Sequence, residues 1–381
     1  MSNVTVRKVE NNADFKLFLE FPWKHYANDK NWIPPLVSQR HDLLDKKKNP
    51  AWEYLEGDYY IAVKNGEIVG TIAAVINHHQ NEHHNEHIGT FGTFETIDDP
   101  EVAHTLLKTA EDWIRSRGYD AIRGPQSFTT HEECGLLVEN FSPPQIQMPY
   151  NLPYYQALVE SAGYHKVMDV YSVYQDRRIL ERNNTVERFG KIAQHALKRS
   201  NITIRPLNTS RKKEEFIIFK SIYNNAWDIN WGFHPFTDRE LDALVASLGM
   251  FVDPKLAFFA EHEGKAVGFA MAVPNMNDVL ALAYPRPGIP EIVSLLQILW
   301  YWKVKKVVKS ARLPLMGVIP EFRNKGIDLA LMHAISVAML PSQYDYMDAG
   351  WILETNSLLS IIGKVEGKPY KTHRFYEKSL K

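Results

Sequence analysis

Hydrophobic and polar positions change period many times along this chain, and the same order of periods comes round twice. Val4–Val9 alternates as a strand does. Ala13–His25 and Leu36–Lys46 carry helical spacing, and Tyr59–Lys64 and Ile68–Ile76 read as two strands joined by the turn Asn65-Gly66, a pair suited to the left-handed dihedrals of a tight hairpin. Gly89–Ile97 is a further strand. After it, Asp99 is placed to cap a helix and Pro100 to open it, the stripe Val102, Leu106, Ala110, Trp113 and Ile114 falls on one face, and Gly118 stops the run. Asp120–Arg123 follows as a strand, Tyr154–Ser161 as a short helix closed by Gly163, and Lys166–Tyr174 as a strand.

The second round opens after Asp176-Arg177-Arg178 with a helical stretch, Val186–Lys198. Ile202–Pro206 repeats the opening strand, Glu214–Trp227 and Asp238–Leu248 are helical, and Leu256–Glu261 with Ala266–Val273 form a second hairpin. Pro314–Val318 (strand), Ile327–Leu340 (helix), Tyr344–Leu353 (strand), Asn356–Val365 (short helix) and Tyr370–Lys378 (strand) complete the series. Strands and helices in this alternation predict an α/β protein with mixed sheets in two domains, residues 1–180 and 181–381.

Composition narrows the function. With 45% hydrophobic and 12% aromatic residues over 381 positions, the chain can fill two cores. Lys and Arg number 44 against 45 acids, a net charge of −1, which argues against a nucleic-acid partner. A single cysteine, Cys134, excludes an internal disulfide and reads as a buried thiol. No secretion signal opens the sequence, and its most apolar stretch, Ile292–Trp302, is shorter than the roughly 20 residues of a membrane span, so a cytoplasmic protein is expected.

The segment with most chemical promise is Gly317-Val-Ile-Pro-Glu-Phe-Arg-Asn-Lys-Gly-Ile-Asp328, where a strand passes through a glycine turn into a helix whose first N–H groups can meet phosphate oxygens. It resembles the acyl-CoA pyrophosphate loop of the GNAT acyltransferase superfamily, with Arg323 and Gly326 on the family pattern and Asp328 in place of its small third residue. The first half has Thr96-Ile-Asp-Asp-Pro-Glu101 at the corresponding place, two acids and a proline that would repel a pyrophosphate. Over nearly its whole length the chain resembles a bacterial family of tandem GNAT-like proteins, whose first domain carries the run from Arg123-Gly-Pro-Gln through Glu132-Glu-Cys-Gly to Met148-Pro-Tyr-Asn-Leu-Pro-Tyr-Tyr155.

The resemblance implies direct acyl transfer from acetyl-CoA or a longer acyl-CoA to an amine, small or lipid, held in a cleft between the domains. It assigns Val318, Ile319, Arg323, Lys325, Gly326, Ile327 and Asn356 to the cosubstrate. Glu354, at a strand end, is the expected base, with capping of the next helix as its alternative role. The family's acidic tyrosine is replaced by Gly363, so Tyr370 or Tyr376 would have to stand in. Glu132 and Glu133 are expected to meet the amine, and Trp227, Trp231 and Phe233 to line an apolar channel or to pack in the core. Two other functions stay open: a catalytically silent CoA- or ligand-binding protein, and N-acylation of a long-chain amino lipid at a membrane surface.

Two further segments stand out. His78, His79, His83, His84 and His87 fall between two strands, where a solvated loop without a metal is expected. Ile292–Arg312 joins an apolar first half to Lys303, Lys305, Lys306, Lys309 and Arg312 against one acid, Glu291. It suits an anionic membrane or the CoA phosphates, or else a helix packed through Leu295, Leu299, Trp302 and Val307 with its lysines in solvent. Sequence leaves the oligomeric state open.

Overall fold

The computed structural model describes residues 3–228, 230–249, 251–363 and 366–381. Its contacts divide the chain into two compact units, and neither is continuous in sequence. Unit 1 comprises Met1–Val170, Val279–Lys305 and Lys371–Lys381, and unit 2 comprises Tyr171–Asp278 and Lys306–Tyr370.

Unit 1 starts with β1 (Val4–Lys8), α1 (Asn12–His25) and α2 (Val37–Leu44), followed by the hairpin of β2 (Leu55–Lys64) and β3 (Glu67–Asn77). Asn65 and Gly66 take positive φ of 54° and 80°, as the sequence predicts for a two-residue turn matched to strand twist. α3 (His78–His84) then leads to β4 (Ile88–Thr96), α4 (Pro100–Arg115), β5 (Ala121–Gly124), β6 (Leu136–Glu139), α5 (Tyr155–Ser161) and β7 (His165–Asp176), the last of which runs on into unit 2. Here β1, β2, β3 and β4 pair antiparallel in that order, and β4 pairs parallel with β5. α4 buries Val102, Leu106, Ala110 and Ile114 in the core under this sheet, and Asp99 accepts the Glu101 N–H as its cap. Burying each of Val102, Leu106 and Ile114 contributes about 1.5–3 kcal/mol, which is why the amphipathic stripe fixes this helix.

The histidine-rich segment is helical, against expectation. Asn77 Oδ1 accepts the Gln80 N–H at 2.8 Å, and Asn85 closes α3 in the left-handed region at φ 52°. His79 stacks on Tyr54 and His87 on Tyr119, and among the described residues no group of three or more His, Cys, Asp or Glu could hold a metal ion.

Unit 2 contains α6 (Arg177–Arg182), α7 (Thr185–Ser200), β8 (Ile202–Pro206), α8 (Lys212–Ala226), α9 (Asp238–Gly249), β9 (Ala257–His262) and β10 (Lys265–Pro274). The chain then returns to unit 1 within α10 (Asn277–Ala283) and makes α11 (Glu291–Leu299), continued by a π-helical turn, Trp300–Val304. Back in unit 2 come β11 (Ser310–Val318), α12 (Ile327–Met339), β12 (Tyr346–Leu353) and α13 (Leu359–Ile362). β13 (Lys368–Ser379) ends the fold, its residues from Lys371 on belonging to unit 1 and pairing there with β5 and β6. The expected helix Asn356–Val365 is reduced to α13, and Val365 lies outside the described residues. The unit 2 ladder runs β8, β9, β10, β11, β12, antiparallel until the parallel pair of β11 with β12.

Candidate active site

The parallel pair in unit 2 separates part-way along. β11 pairs with β12 only from Ser310 opposite Tyr346 to Leu313 opposite Ala349, and the next residue, Pro314, has no N–H to offer. Beyond it β11 stays on β10 through Val318, after a register shift between Met271 and Val273. A mainly apolar cavity occupies the gap, lined by Leu313, Met316, Met332, Trp351, Leu353 and Trp227 among others, with Asn230, Ser336 and Asn356 as polar members. Because Ile319 donates to Val267 O at 3.0 Å, antiparallel alternation directs the peptide groups of Met316 and Val318 away from β10 and into the gap. Backbone N–H groups turned into an apolar slot suit a ligand with amide groups and an apolar end.

α12 begins at the top of β11. Its cap residue Gly326 sits at φ 76° and supplies no capping side chain, so the first-turn N–H groups face outward. A Cβ at Gly326 would lie 2.8 Å from Ala196 Cβ, so the turn excludes larger residues by space as well as by dihedral. Asp328 lies in the first turn and is not the cap. Arg323 turns back on the protein: its guanidinium donates to Asp228 Oδ1 at 2.7 Å and to the Val318, Asn225 and Ala226 carbonyls at 3.2 Å. It therefore ties the turn to the end of α8. Lys325 is the exposed cation there, above the Phe322 ring.

Unit 1 has the same strand separation, filled by protein. β4 leaves β5 after Thr90 opposite Arg123, and the segment after β5 closes on it, so that a Cβ at Gly92 would come within 2.1 Å of Gln126 O. The amide of Thr96, which stands where Val318 stands in unit 2, already donates to Tyr155 Oη at 3.0 Å. At the start of α4 the Asp99 cap is engaged and Lys64 binds both Asp99 and Glu101.

In place of a slot, unit 1 holds a titratable cluster that sequence reading missed. Glu95 Oε2 accepts from Tyr26 at 2.6 Å and from Tyr155 at 2.7 Å, and His25 Nε2 lies 3.0 Å from Tyr155 Oη. Desolvation of the partly buried Glu95 carboxyl outweighs these hydrogen bonds and pushes it up to about 7. The same effect holds His25 down at about 4, neutral at physiological pH. The doublet Tyr154-Tyr155 and the acid closing β4 were the available signal, but their meeting depends on tertiary structure.

The residues expected from sequence separate into groups. Val318 ends β11 and Asn356 lines the cavity, where its Oδ1 accepts the Leu358 N–H at 2.9 Å. Ile319 has its N–H committed to Val267, so it cannot hold a ligand through that group. Ile327 is buried as the first residue of α12. Glu354 is half-buried in the turn after β12. Trp227 lines the cavity, whereas Phe233 is buried and Trp231 half-buried in the segment after α8. Tyr370 donates to Asp348, a fully buried carboxylate beside Arg312, and Tyr376 lies in the unit 1 core with its hydroxyl on Glu160. Desolvation, followed by these carboxylate partners, raises both phenols above their ordinary range. Glu132 in unit 1 accepts from Asn49 at 3.3 Å, and Glu133 beside it is exposed. Cys134 is buried and donates weakly to Thr130 O.

A family model described as the acetyltransferase (GNAT) family matches residues 23–125, the span from α1 to the cis Gly124-Pro125 bond after β5. Protein YghO of Escherichia coli K12 is 35% identical over 381 residues, covering 98% of this chain and 95% of the relative. A protein of Caulobacter vibrioides named bacterial ceramide synthase is 35% identical over 389 positions, covering 100% of this chain and 98% of that one. The chain belongs to the GNAT acyltransferase family. Solved structures agree on the fold: a tandem GNAT protein from the clavulanic acid biosynthesis pathway matches with a TM-score of 0.54 at 11% identity over 99% of both chains. A GCN5-related N-acetyltransferase from Sphaerobacter thermophilus gives 0.51 at 10% identity, over 100% of this chain and 97% of that one. This GNAT protein is thus an N-acyltransferase with the fold in tandem, and its family draws the acyl group from acyl-CoA. Of the two copies, the residues of unit 2 fit that cosubstrate: its slot is open, its Val318 amide faces the gap and its helix start is uncapped.

Proposed function

We propose that this protein transfers the acyl group of an acyl-CoA to the amine of a long-chain amino lipid, with unit 2 holding the donor. The observation that carries this reading is the open slot between β11 and β12, leading to the uncapped start of α12. Acyl-CoA supplies a thioester carbon open to attack by a neutral amine. The first-turn amides of α12 and the exposed Lys325 would receive the phosphates, and the Met316 peptide group and the Val318 N–H the pantetheine amides. Met332, Trp351 and Leu353 give the acyl end an apolar lining. The relative named bacterial ceramide synthase favours a lipid acceptor, since a ceramide is the N-acyl derivative of a long-chain amino alcohol.

Unit 2 offers a carboxylate that could accept the ammonium proton. Glu354 follows β12, next to the slot-lining Leu353. The test is transfer from acetyl-CoA and from long-chain acyl-CoAs to long-chain amino alcohols and to short soluble amines. Amide formation with one CoA thiol released per amide supports the reading. CoA binding without an amide product in the whole panel would favour a ligand-binding protein.

A further inference from the structure

α11 shows its apolar side to solvent. Ile292, Leu295, Leu296, Leu299 and Trp300 are between 41% and 61% exposed, while the buried residue of this helix is Ser294. At about 100° per residue these five positions share one face, and Ser294 lies opposite. An ordinary surface helix has the reverse arrangement, and a contiguous apolar patch of this kind marks an interaction site. The packed helix with Leu295 and Leu299 in a core is therefore not what forms.

Charge identifies the occupant. Lys303, Lys305 and Lys306 follow directly on the apolar face, and all three are exposed. Trp300 and Trp302 sit between the aliphatic residues and these lysines, with Lys303 Nζ 3.4 Å from the Trp302 ring. The one acid of the segment, Glu291, accepts from Ser38 Oγ at 2.5 Å and Ser38 N–H at 2.8 Å, which also fastens the start of α11 to α2. Trp23 Nε1 donates to Pro285 O at 2.7 Å and fixes the preceding turn. The result is an anchored helix with aliphatic residues outward, then aromatic residues, then cations. That is the order met on passing from acyl chains through the interface to anionic headgroups. Among the described residues no helix is long and apolar enough to cross a membrane, so the contact is peripheral.

We propose that α11 and its π-helical turn dock this protein on an anionic lipid bilayer. Docking requires nothing of the acyl-transfer centre and can be tested apart from it. In flotation with vesicles of 30% phosphatidylglycerol in phosphatidylcholine, the full chain should rise with the lipid at low salt, and less so at high salt. The double variant Leu296→Glu/Leu299→Glu should stay in solution. The triple variant Lys303→Glu/Lys305→Glu/Lys306→Glu should lose on the order of 100-fold or more in partitioning. Unchanged circular dichroism in both variants identifies the loss as one of docking. Wild-type protein that ignores anionic vesicles would overturn the proposal, as would variants that float equally well. So would a dimer in solution that Leu296→Glu/Leu299→Glu dissociates while vesicles remain unbound, since the occupant would then be a second copy.

Discussion

Glu95 and Gly317 hold the same register position in the two units. Glu95 faces Thr71 across β3 and β4, Gly317 faces Phe269 across β10 and β11, and two residues on, Ile97 and Ile319 donate to Val69 and Val267 at 3.1 and 3.0 Å. One copy places an acid beneath the Tyr26 hydroxyl. The other has no room for a side chain, since a Cβ at Gly317 would lie 2.7 Å from Ala226 Cβ and 3.4 Å from the Trp227 ring. Duplication has thus produced a polar, filled copy and an apolar, open one.

That acid makes stability depend on pH. The Glu95 carboxyl is raised from its ordinary 4.5 to about 7, so the folded state holds the proton more tightly. Its contribution is complete below pH 4.5 and disappears as pH rises through 7. Between pH 5 and 8 the wild type should lose about 2–3 kcal/mol relative to Glu95→Gln, in which His25 is unchanged and cancels. Denaturant melts of both proteins at the two pH values measure this, and parallel pH dependences would exclude the raised carboxyl.

Arg323 and Lys325 should separate by phenotype. Arg323→Ala breaks the ties to Asp228 and to the α8 carbonyls, costing about 1.5–3 kcal/mol of stability. Lys325→Ala should leave melting unchanged and weaken CoA about 3- to 20-fold, through loss of one cation beside phosphate. Calorimetry with CoA and thermal melts on the same preparations check both, and the opposite assignment would return Arg323 to the phosphates.

Tyr370→Phe tests whether that phenol works in catalysis or in the core. Its hydroxyl is 2.5 Å from Asp348 Oδ2, so removal leaves a buried carboxylate with one hydrogen bond fewer and should cost about 1.5–3 kcal/mol. Turnover per folded molecule should persist. A selective fall in turnover with normal melting would instead restore the tyrosine as an acid.

The fold was largely legible in sequence wherever its cause is local. Asp99 and Pro100 start α4, Asn65-Gly66 turns the first hairpin, and Glu263 and Gly264 at φ 49° and 77° turn the second. What sequence did not reveal depends on distant partners. Lys371–Lys381 returns to unit 1 and Val279–Lys305 packs there, although both follow the second round of elements. Tyr26 and Tyr155 meet Glu95 from 69 and 60 residues away, and in the linear pattern Glu95 is simply the acid at a strand end. The match of Arg323 to the phosphate-loop pattern pointed to this turn, but the pattern has no record of Asp228, which takes up its charge.

Hydrogen exchange with and without a long-chain acyl-CoA tests most directly the claim that unit 2 holds the donor. Protection is predicted in β11, the first turns of α12 and β12, where Val318 and the uncapped amides face the ligand, with β4 and the start of α4 unchanged. Protection centred on Ile88–Arg115, with β11 and α12 unaffected, would contradict it and place the acyl-CoA in unit 1.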